Sequence, residues 1–482
     1  MITVEIANVI GSSRLTVDDR EILEDRNPAR PDEVVARFPA ATASDAAKAV
    51  AAARAAAPQW AALPGPRRGE VLRRAADGLE SSASQIAEIL CRENGKTINE
   101  ARGEVLRGVQ VLRYFSGEST QPMGHTIPSI GPQTFLFTMR QPIGTVSVIT
   151  PWNFPLAIPI WKIAPALAYG NTVVFKPSSL TPASGWAVVE TLLDAGIPEG
   201  VLNFITGRSS ELGPIITGSP VDAITFTGSE EVGNGIRSAA GDRGAKVQTE
   251  LGGKNPTIVL DDADLDRAVD ITLGGAMRMA GQKCTATSRV IVSESVFGEF
   301  KSRIVEKAQS LRVGDPLDSA TYLGPLITRE QQQQVLDRVG EAVQDGARLL
   351  TGGDTGPGEG FFIAPTLLDR IDPDAPLAQD EVFGPVLVLL PASDDDEAIR
   401  IANSVRYGLS ASIVTNDLSR TMGFVRDIQA GVVKVNSESA GIEYQAPFGG
   451  MKASGSYARE QGKAAIEFFT QTKTVYVDPQ RS

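Results

Sequence analysis

Histidine is almost absent from this chain: one residue in 482, His125. That argues against a zinc site built from imidazoles and against a Ser-His-Asp triad. A hydrolytic or acyl-transfer catalyst on this chain must therefore take a carboxylate as its base. Cysteine is nearly as scarce. Two residues, Cys91 and Cys284, cannot make a disulfide framework or a CxxC metal site, and no metal is expected. No apolar run approaches the roughly 18 residues of a membrane span. The first fifteen residues lack a cationic start and a long apolar core, so no secretory signal is expected and a reducing cytoplasm is the simplest location. Positive charge is also in short supply. Lys and Arg total 46 against 58 Asp and Glu, a net charge of −12. That excess argues against a nucleic-acid partner and against an anionic membrane surface; its simplest role is solubility.

What is present fits a globular protein of two or three domains. Apolar residues make up 42% and charged residues 22%, and Gly and Pro are spread through the chain as turn punctuation. Residues 1–40 read as short strand-like pieces broken by Gly11, Pro28, Pro31 and Pro39. Thr42 or Ser44 can cap an alanine-rich helix to about Ala57. A second helical pattern follows Pro66, with Val71, Leu72, Leu79, Ile86, Ile89 and Leu90 near helical spacing. It carries Cys91, whose apolar setting predicts a core thiol. A third helix covers about 97–118.

Strands are predicted at 133–139 and 143–150. From there strand and helix alternate: strands at 172–176, 201–205 and 223–227, helices at about 182–195 and after Gly228. Short apolar strands alternating with helices imply βαβ units and a parallel sheet, the architecture of a dinucleotide-binding domain. A second α/β set begins at 257–260 with a helix at about 264–279. Further strands fall at 290–292, 386–390 and 411–414. The strand at 474–477 could pair with 133–139 in a small sheet away from both cores. There is no internal repeat.

Five stretches place polar or unusual residues where chemistry could use them. Cys284 sits in Gly281-Gln282-Lys283-Cys284-Thr285-Ala286-Thr287-Ser288-Arg289, among small, hydroxyl and cationic residues. Polar, cationic surroundings lower a thiol's pKa toward the nucleophilic thiolate, although a loop thiol without a role would read the same way. In Ile149-Thr150-Pro151-Trp152-Asn153-Phe154-Pro155, two prolines fix the backbone around an asparagine. A rigid amide is what an oxyanion hole needs, and a tight turn would also use one. Lys176, followed by Pro177, Ser178 and Ser179, ends a strand at the sheet edge where α/β proteins bind ligands. The run from Phe226 through Thr227, Gly228 and Ser229 to Gly233 leads into a helix, whose N-terminus attracts phosphate. It is not a G-x-G-x-x-G fingerprint. Finally, Glu250 ends a short strand ahead of Leu251, Gly252 and Gly253. With histidine nearly absent it is the best base available.

Together these stretches, with Glu381-Val382-Phe383-Gly384-Pro385-Val386 and the run from Pro447 to Gly455, resemble the aldehyde dehydrogenase superfamily in order and spacing along nearly the whole chain. The resemblance implies that fold: a Rossmann-like NAD(P)-binding domain from 1–119 and 143–250, an α/β catalytic domain from 251–455, and a small β oligomerisation arm from 120–142 and 456–482. It implies that Cys284 attacks the aldehyde and that Asn153 and the Cys284 backbone N–H hold the oxyanion. Glu250 then activates water, and Lys162 gives electrostatic or proton-relay support. It implies a cofactor cleft lined by Ile149, Thr150, Pro151, Trp152, Lys176, Ser178, Ser179, Gly207, Gly228, Ser229, Val232, Leu251, Glu381 and Phe383. Strongly NAD-preferring members carry a Glu three residues after the lysine; Ser179 stands there, so NADP is expected to be accepted and preferred over NAD.

Substrate contacts are expected from Phe154 and Arg278. Semialdehyde dehydrogenases of carboxylate-bearing aldehydes have an arginine six residues before the cysteine, and a guanidinium matches a carboxylate bidentately. Residues 435–476 look most like α-ketoglutarate semialdehyde (2,5-dioxopentanoate) dehydrogenases; a succinate semialdehyde or broad-specificity enzyme is the alternative. A CoA-acylating relative would lack Glu250, and a non-catalytic homologue would not keep Cys284, Asn153 and Glu250. A homodimer or homotetramer is implied by resemblance.

Overall fold

The computed structural model describes residues 3–121 and 123–479. Residues 1, 2, 122 and 480–482, which the expected domain spans include, lie outside the described residues.

Five short strands, Thr145–Ile149, Thr172–Lys176, Leu202–Phe204, Ala223–Thr227 and Lys246–Glu250, form the parallel part of a first seven-stranded sheet. The strands Thr145–Ile149, Thr172–Lys176 and Ala223–Thr227 are buried at every position, as parallel strands covered on both faces require. Asn8–Ile10 and Ser13–Leu15 extend the sheet antiparallel past Leu202–Phe204, with Gly11 in the left-handed region at the turn between them (φ 59°). The chain begins the parallel series at Thr145–Ile149 and steps twice to one side. It then crosses to the other side for Ala223–Thr227 and Lys246–Glu250. In open α/β sheets such a reversal, here beyond the carboxyl ends of Thr145–Ile149 and Ala223–Thr227, marks the crevice where ligands bind.

A second seven-stranded sheet runs Arg348–Thr351, Thr366–Asp369, Val386–Ala392, Thr287–Ser293, Asn255–Val259, Ser410–Val414, Val432–Val435. It is parallel except at its first pair. Of four successive helices, Ala43–Ala62 packs on the first sheet, while Gly65–Ser81, Ala83–Asn94 and Ile98–Glu118 form a layer over the helices Ala157–Ala168 and Pro182–Asp194. The single pattern expected after Pro66 is two helices broken at Ser82; the apolar spacing carries on across the break, so periodicity alone does not reveal it. Reciprocal capping boxes, Thr42 with Asp45 and Thr97 with Glu100, set the starts of the first and fourth. The first runs five residues beyond the expected end, passing through Pro58.

The expected pairing of 133–139 with 474–477 is present. Phe135–Pro142 and Thr470–Val477 lie antiparallel with Val475 opposite Phe137, and Thr126–Ile127 adds a third strand. Phe135, Met139, Tyr476 and Val477 on this arm are exposed. Residues 465–469 instead turn inward, and Ala465, Phe468 and Phe469 join the core under the first sheet.

Candidate active site

The loop bearing Cys284 is forced out of helical geometry. The helix expected to reach residue 279 ends at Met277. Met279, Ala280 and Gly281 follow with φ of 55°, 50° and 69°, a conformation that costs energy for the two non-glycine residues. Gly281 is obligatory, since a Cβ there would stand 2.1 Å from the Gly384 carbonyl oxygen. Side chains then hold the doubled-back segment. Gln282 Oε1 accepts from the Ile327 N–H (3.0 Å), and Asn255 Nδ2 donates to the carbonyls of Cys284 (2.8 Å) and Ala286 (2.9 Å). Ser439 Oγ donates to the Thr285 carbonyl (2.8 Å).

The surroundings of the thiol differ from those read in the sequence. Burial pushes the Cys284 thiol up to about 12, and Glu381 and Glu250 add to the rise; the backbone N–H groups of Cys284 and Thr285 pull the other way. The adjacent lysine does not offset this. Lys283 points its ammonium at the Gly274 carbonyl (3.4 Å), and burial lowers it to about 8.

Asn153 is delivered to the same loop. Its Nδ2 donates to the Gln282 carbonyl (3.2 Å) and its Oδ1 accepts from the Phe154 N–H (3.1 Å). An amide nitrogen carries two N–H groups, so one is left for an oxyanion. The neighbouring backbone is fixed from the helices: Asn94 Nδ2 donates to the Trp152 carbonyl (2.8 Å) and Lys96 Nζ to the Asn153 carbonyl (2.8 Å). Lys96 also pairs with Glu104, which accepts from the N–H groups of Leu156 and Ala157. Lys96 lies 4.6 Å from the Phe154 ring centroid.

Glu250 is buried at the end of its strand. One carboxylate oxygen accepts from the Gly450 N–H (3.3 Å), and the other has no protein partner. Burial holds its pKa well above the usual carboxylate range; Glu460 adds to the rise and Lys162 opposes it. Lys162, also buried, pairs with Glu460 and donates to Thr225 Oγ1 (2.9 Å).

The expected cofactor residues gather around the crevice. Ile149 pairs in register with Lys176 and with Phe226, and the Thr150 N–H donates to the Lys176 carbonyl (3.3 Å). Thr150 Oγ1 and Thr227 Oγ1 are buried without a protein partner. Lys176 Nζ donates to Ser209 Oγ (2.8 Å) and the Pro177 carbonyl (2.9 Å), and burial lowers it to about 8. Ser178 Oγ accepts from the Leu180 N–H, and Ser179 is half-buried beside it. Gly207 has φ 152° next to Ser209's helix. Ser229 precedes the helix Glu230–Gly241, whose Val232 is exposed. Leu251 packs beneath Gly233, where a Cβ would lie 2.4 Å from it.

On the facing side Glu381 Oε1 accepts from the Gly253 N–H (3.0 Å), and burial pushes that carboxyl up to about 7. Gly252 leaves room for it: a Cβ would meet Glu381 Oε2 at 2.4 Å. The rings of Trp152 and Phe383 meet edge-on, centroids 5.4 Å apart, and Pro151 is half-buried in the loop before Trp152. Arg278 leaves the last helical turn and pairs with Glu438 (2.9 Å), with more than half of its side chain exposed.

A family model for the aldehyde dehydrogenase family matches residues 16–475. The chain belongs to that family. It is 44% identical over 98% of both chains to an α-ketoglutaric semialdehyde dehydrogenase of Bacillus subtilis (strain 168). It is equally identical, over 97% of this chain and 98% of the other, to an α-ketoglutarate semialdehyde dehydrogenase of Haloferax volcanii. A crystal structure of betaine aldehyde dehydrogenase from Staphylococcus aureus in complex with NAD+ superposes with a TM-score of 0.95 at 32% identity, covering 99% of this chain and 95% of that one. The protein is an NAD(P)-dependent oxidoreductase that converts an aldehyde to a carboxylic acid. No helix among the described residues is long and apolar enough to cross a membrane.

Within this aldehyde dehydrogenase several supporting residues escape sequence reasoning. Glu460, Lys96, Glu104 and Asn94 act on the site from far along the chain, and Asn255 does so from the stretch 250–256, which sequence reasoning singles out for Glu250 and its glycines. Their only sequence signal is polarity at positions that the fold buries. Glu460 falls in the stretch 456–462, which carries a subfamily likeness without hinting at Lys162.

Proposed function

We propose that the enzyme oxidises a carboxylate-bearing semialdehyde, α-ketoglutarate semialdehyde above others, with NADP preferred over NAD. Cys284 Sγ forms the bond to the aldehyde carbon as the thiol proton passes to solvent water and the carbonyl π pair moves onto oxygen. The carbonyl oxygen becomes an oxyanion held by the free N–H of Asn153 and the Cys284 backbone N–H; one such donor is worth on the order of 10²–10³ in rate. NAD(P), which Lys176, Thr150, Thr227 and Glu381 would hold, would supply the hydride acceptor that takes the adduct on Cys284 to the oxidation level of a thioester. Glu250 takes a proton from water, the hydroxide attacks the thioester, and the C–S bond breaks to release the acid. Burial raises the proton affinity of Glu250, and Glu460 and Lys162 then pull it in opposite directions.

The crevice at the strand-order reversal suits a dinucleotide. Thr150 and Thr227 offer unpartnered hydroxyls, Lys176 a cation, and Glu381 a carboxylate aimed by Gly253. Glu250, the base that hydrolysis needs, is buried and in place, which favours release of the acid over transfer to CoA.

The observation that carries the substrate reading is Arg278. The turn ahead of Cys284 carries its guanidinium out of the helix to a position where Glu438 already engages it as a carboxylate. The names of the Bacillus and Haloferax relatives support the same class. A screen of carboxylate-bearing against neutral aldehydes of equal length, each with NAD and NADP, tests it. At least tenfold higher kcat/KM for the carboxylate-bearing set is expected, and equal efficiency would overturn it.

The exposed arm strand Thr470–Val477 and the edge strand Val432–Val435 are open sheet edges of the kind a second copy covers, and they support a homodimer or homotetramer. The spans 1–119 with 143–250, 251–455, and 120–142 with 456–482 are proposed as the cofactor, catalytic and oligomerisation units. A reactive free thiol suits the cytoplasm.

A further inference from the structure

We infer that Asn255 is a positioning residue for the reactive thiol: its amide holds the Cys284 carbonyl so that the other end of the same peptide, the Thr285 N–H, is aimed at Sγ. In a planar trans peptide the C=O of one residue and the N–H of the next point in opposite directions. Fixing one fixes the other, and the Thr285 N–H is among the groups that pull the thiol's proton affinity down.

The amide has no freedom to do otherwise. One N–H of Nδ2 goes to the Cys284 carbonyl and the other to the Ala286 carbonyl, while Oδ1 accepts from the Ser410 N–H (3.0 Å). Exchanging the oxygen and nitrogen would set donor against donor. Asn255 is buried at the first position of its strand. Gly253 makes the approach possible, since a Cβ there would lie 2.7 Å from the Cys284 carbonyl oxygen and 2.8 Å from Asn255 Oδ1.

The other side-chain tie on this loop acts on a different peptide. Ser439 holds the Thr285 carbonyl, and the N–H across that peptide, from Ala286, donates to the Lys283 carbonyl (3.0 Å). The charged groups facing the sulfur are Glu250 and Glu381, which oppose a thiolate, and Lys283, whose ammonium is turned to Gly274. Backbone N–H donors are therefore the main local support for the thiolate.

The inference rests on Cys284 as the nucleophile, and its test reads the thiol without needing an aldehyde. The native full-length protein is alkylated with iodoacetamide across a pH series. The only other cysteine, Cys91, is fully buried, and C284A supplies the blank. N255A, with no donor, is expected to alkylate about tenfold more slowly at every pH from about 7 to 9, which is about tenfold less thiolate. N255S, with one donor and no added charge, is expected to lose part of that rate, and it carries the test if N255A does not fold. S439A is expected to keep the wild-type rate. A wild-type rate in N255S, or an equal loss in S439A, overturns the inference. If C284A still oxidised aldehydes, the nucleophile assignment would fall while the alkylation result stood.

Discussion

The Lys162 ammonium and the Glu460 carboxylate meet as a sealed ion pair, 298 positions apart in the chain and each no more than 2% exposed. The pair presses on Glu250 from both signs. Glu460 raises its proton affinity and Lys162 lowers it, on top of the larger effect of burial. A general base must be ionised to act, and Glu250's folded pKa is raised, so turnover limited by hydrolysis should rise with pH through that pKa. K162M removes the opposing cation and should move the acidic limb of kcat to higher pH. E460Q removes the repelling carboxylate and should move the limb to lower pH. Shifts in the same direction would refute this coupling. Each single change also strands a buried charge and should destabilise the fold by about 3–5 kcal/mol, which thermal melts would register.

Arg278 gives a sharper substrate test than a screen alone. Hydrogen bonds to a charged group contribute about 1.5–3 kcal/mol. R278A should therefore raise KM for a carboxylate-bearing semialdehyde by about 10–100-fold. A neutral aldehyde should change by less than about threefold, since no charged contact is lost. R278K should recover only part of the loss, because an ammonium lacks the fork that grips two oxygens. Initial-rate kinetics on the pair of substrates decide it; equal effects on both would remove the anion site.

Much of this site is legible in the sequence where its chemistry is local. Asn153 between prolines, Glu250 before two glycines and Cys284 after Gly281 each advertise a strained or open backbone beside a reactive group. The alternation that predicts the parallel sheet is equally local, as is the pairing of the arm strands. What escapes is long-range. Met279 and Ala280 adopt left-handed geometry that their side chains do not favour, and only the packing around Gly281 and Gly384 imposes it. Glu460 and Asn255 read as ordinary polar residues until the fold sets them against Lys162 and the Cys284 carbonyl. The low pKa expected for Cys284 is opposed by burial and by Glu381 and Glu250, carboxylates that the fold brings to the thiol from elsewhere in the chain.

Cofactor choice should turn on Ser179. A 2′-phosphate is repelled by a carboxylate at the position three residues after Lys176, and the serine there presents no charge. S179E should lower kcat/KM with NADP by at least about tenfold, or about 1.4 kcal/mol, while sparing NAD. Measured efficiencies with each cofactor at saturating aldehyde check this. A wild-type enzyme at least about tenfold better with NAD would sink the preference before any mutation is made.

Glu93 provides a stability prediction with a definite sign. Its carboxylate is fully buried and accepts from the N–H groups of Ala183 and Ser184 and from the Ser184 hydroxyl. It thereby caps the helix Pro182–Asp194 that follows the Lys176 loop. Burial raises its pKa from 4.5 to about 7 against the pull of those donors. The folded state therefore holds this proton more tightly than the unfolded state. The stabilisation is complete below pH 4.5 and is lost as pH rises through about 7. Over that window the wild-type protein should lose on the order of 3 kcal/mol at this group. E93Q cannot ionise, so urea melts at pH 5 and pH 7.5 should lie closer together for the variant than for the wild type. It also sets an amide N–H against the helix N-terminus, so its stability should be lower at both pH values. A variant with the same pH slope as the wild type would place the titration elsewhere, with Asp25 next to be tested, since its pKa is raised by burial and then by Glu93.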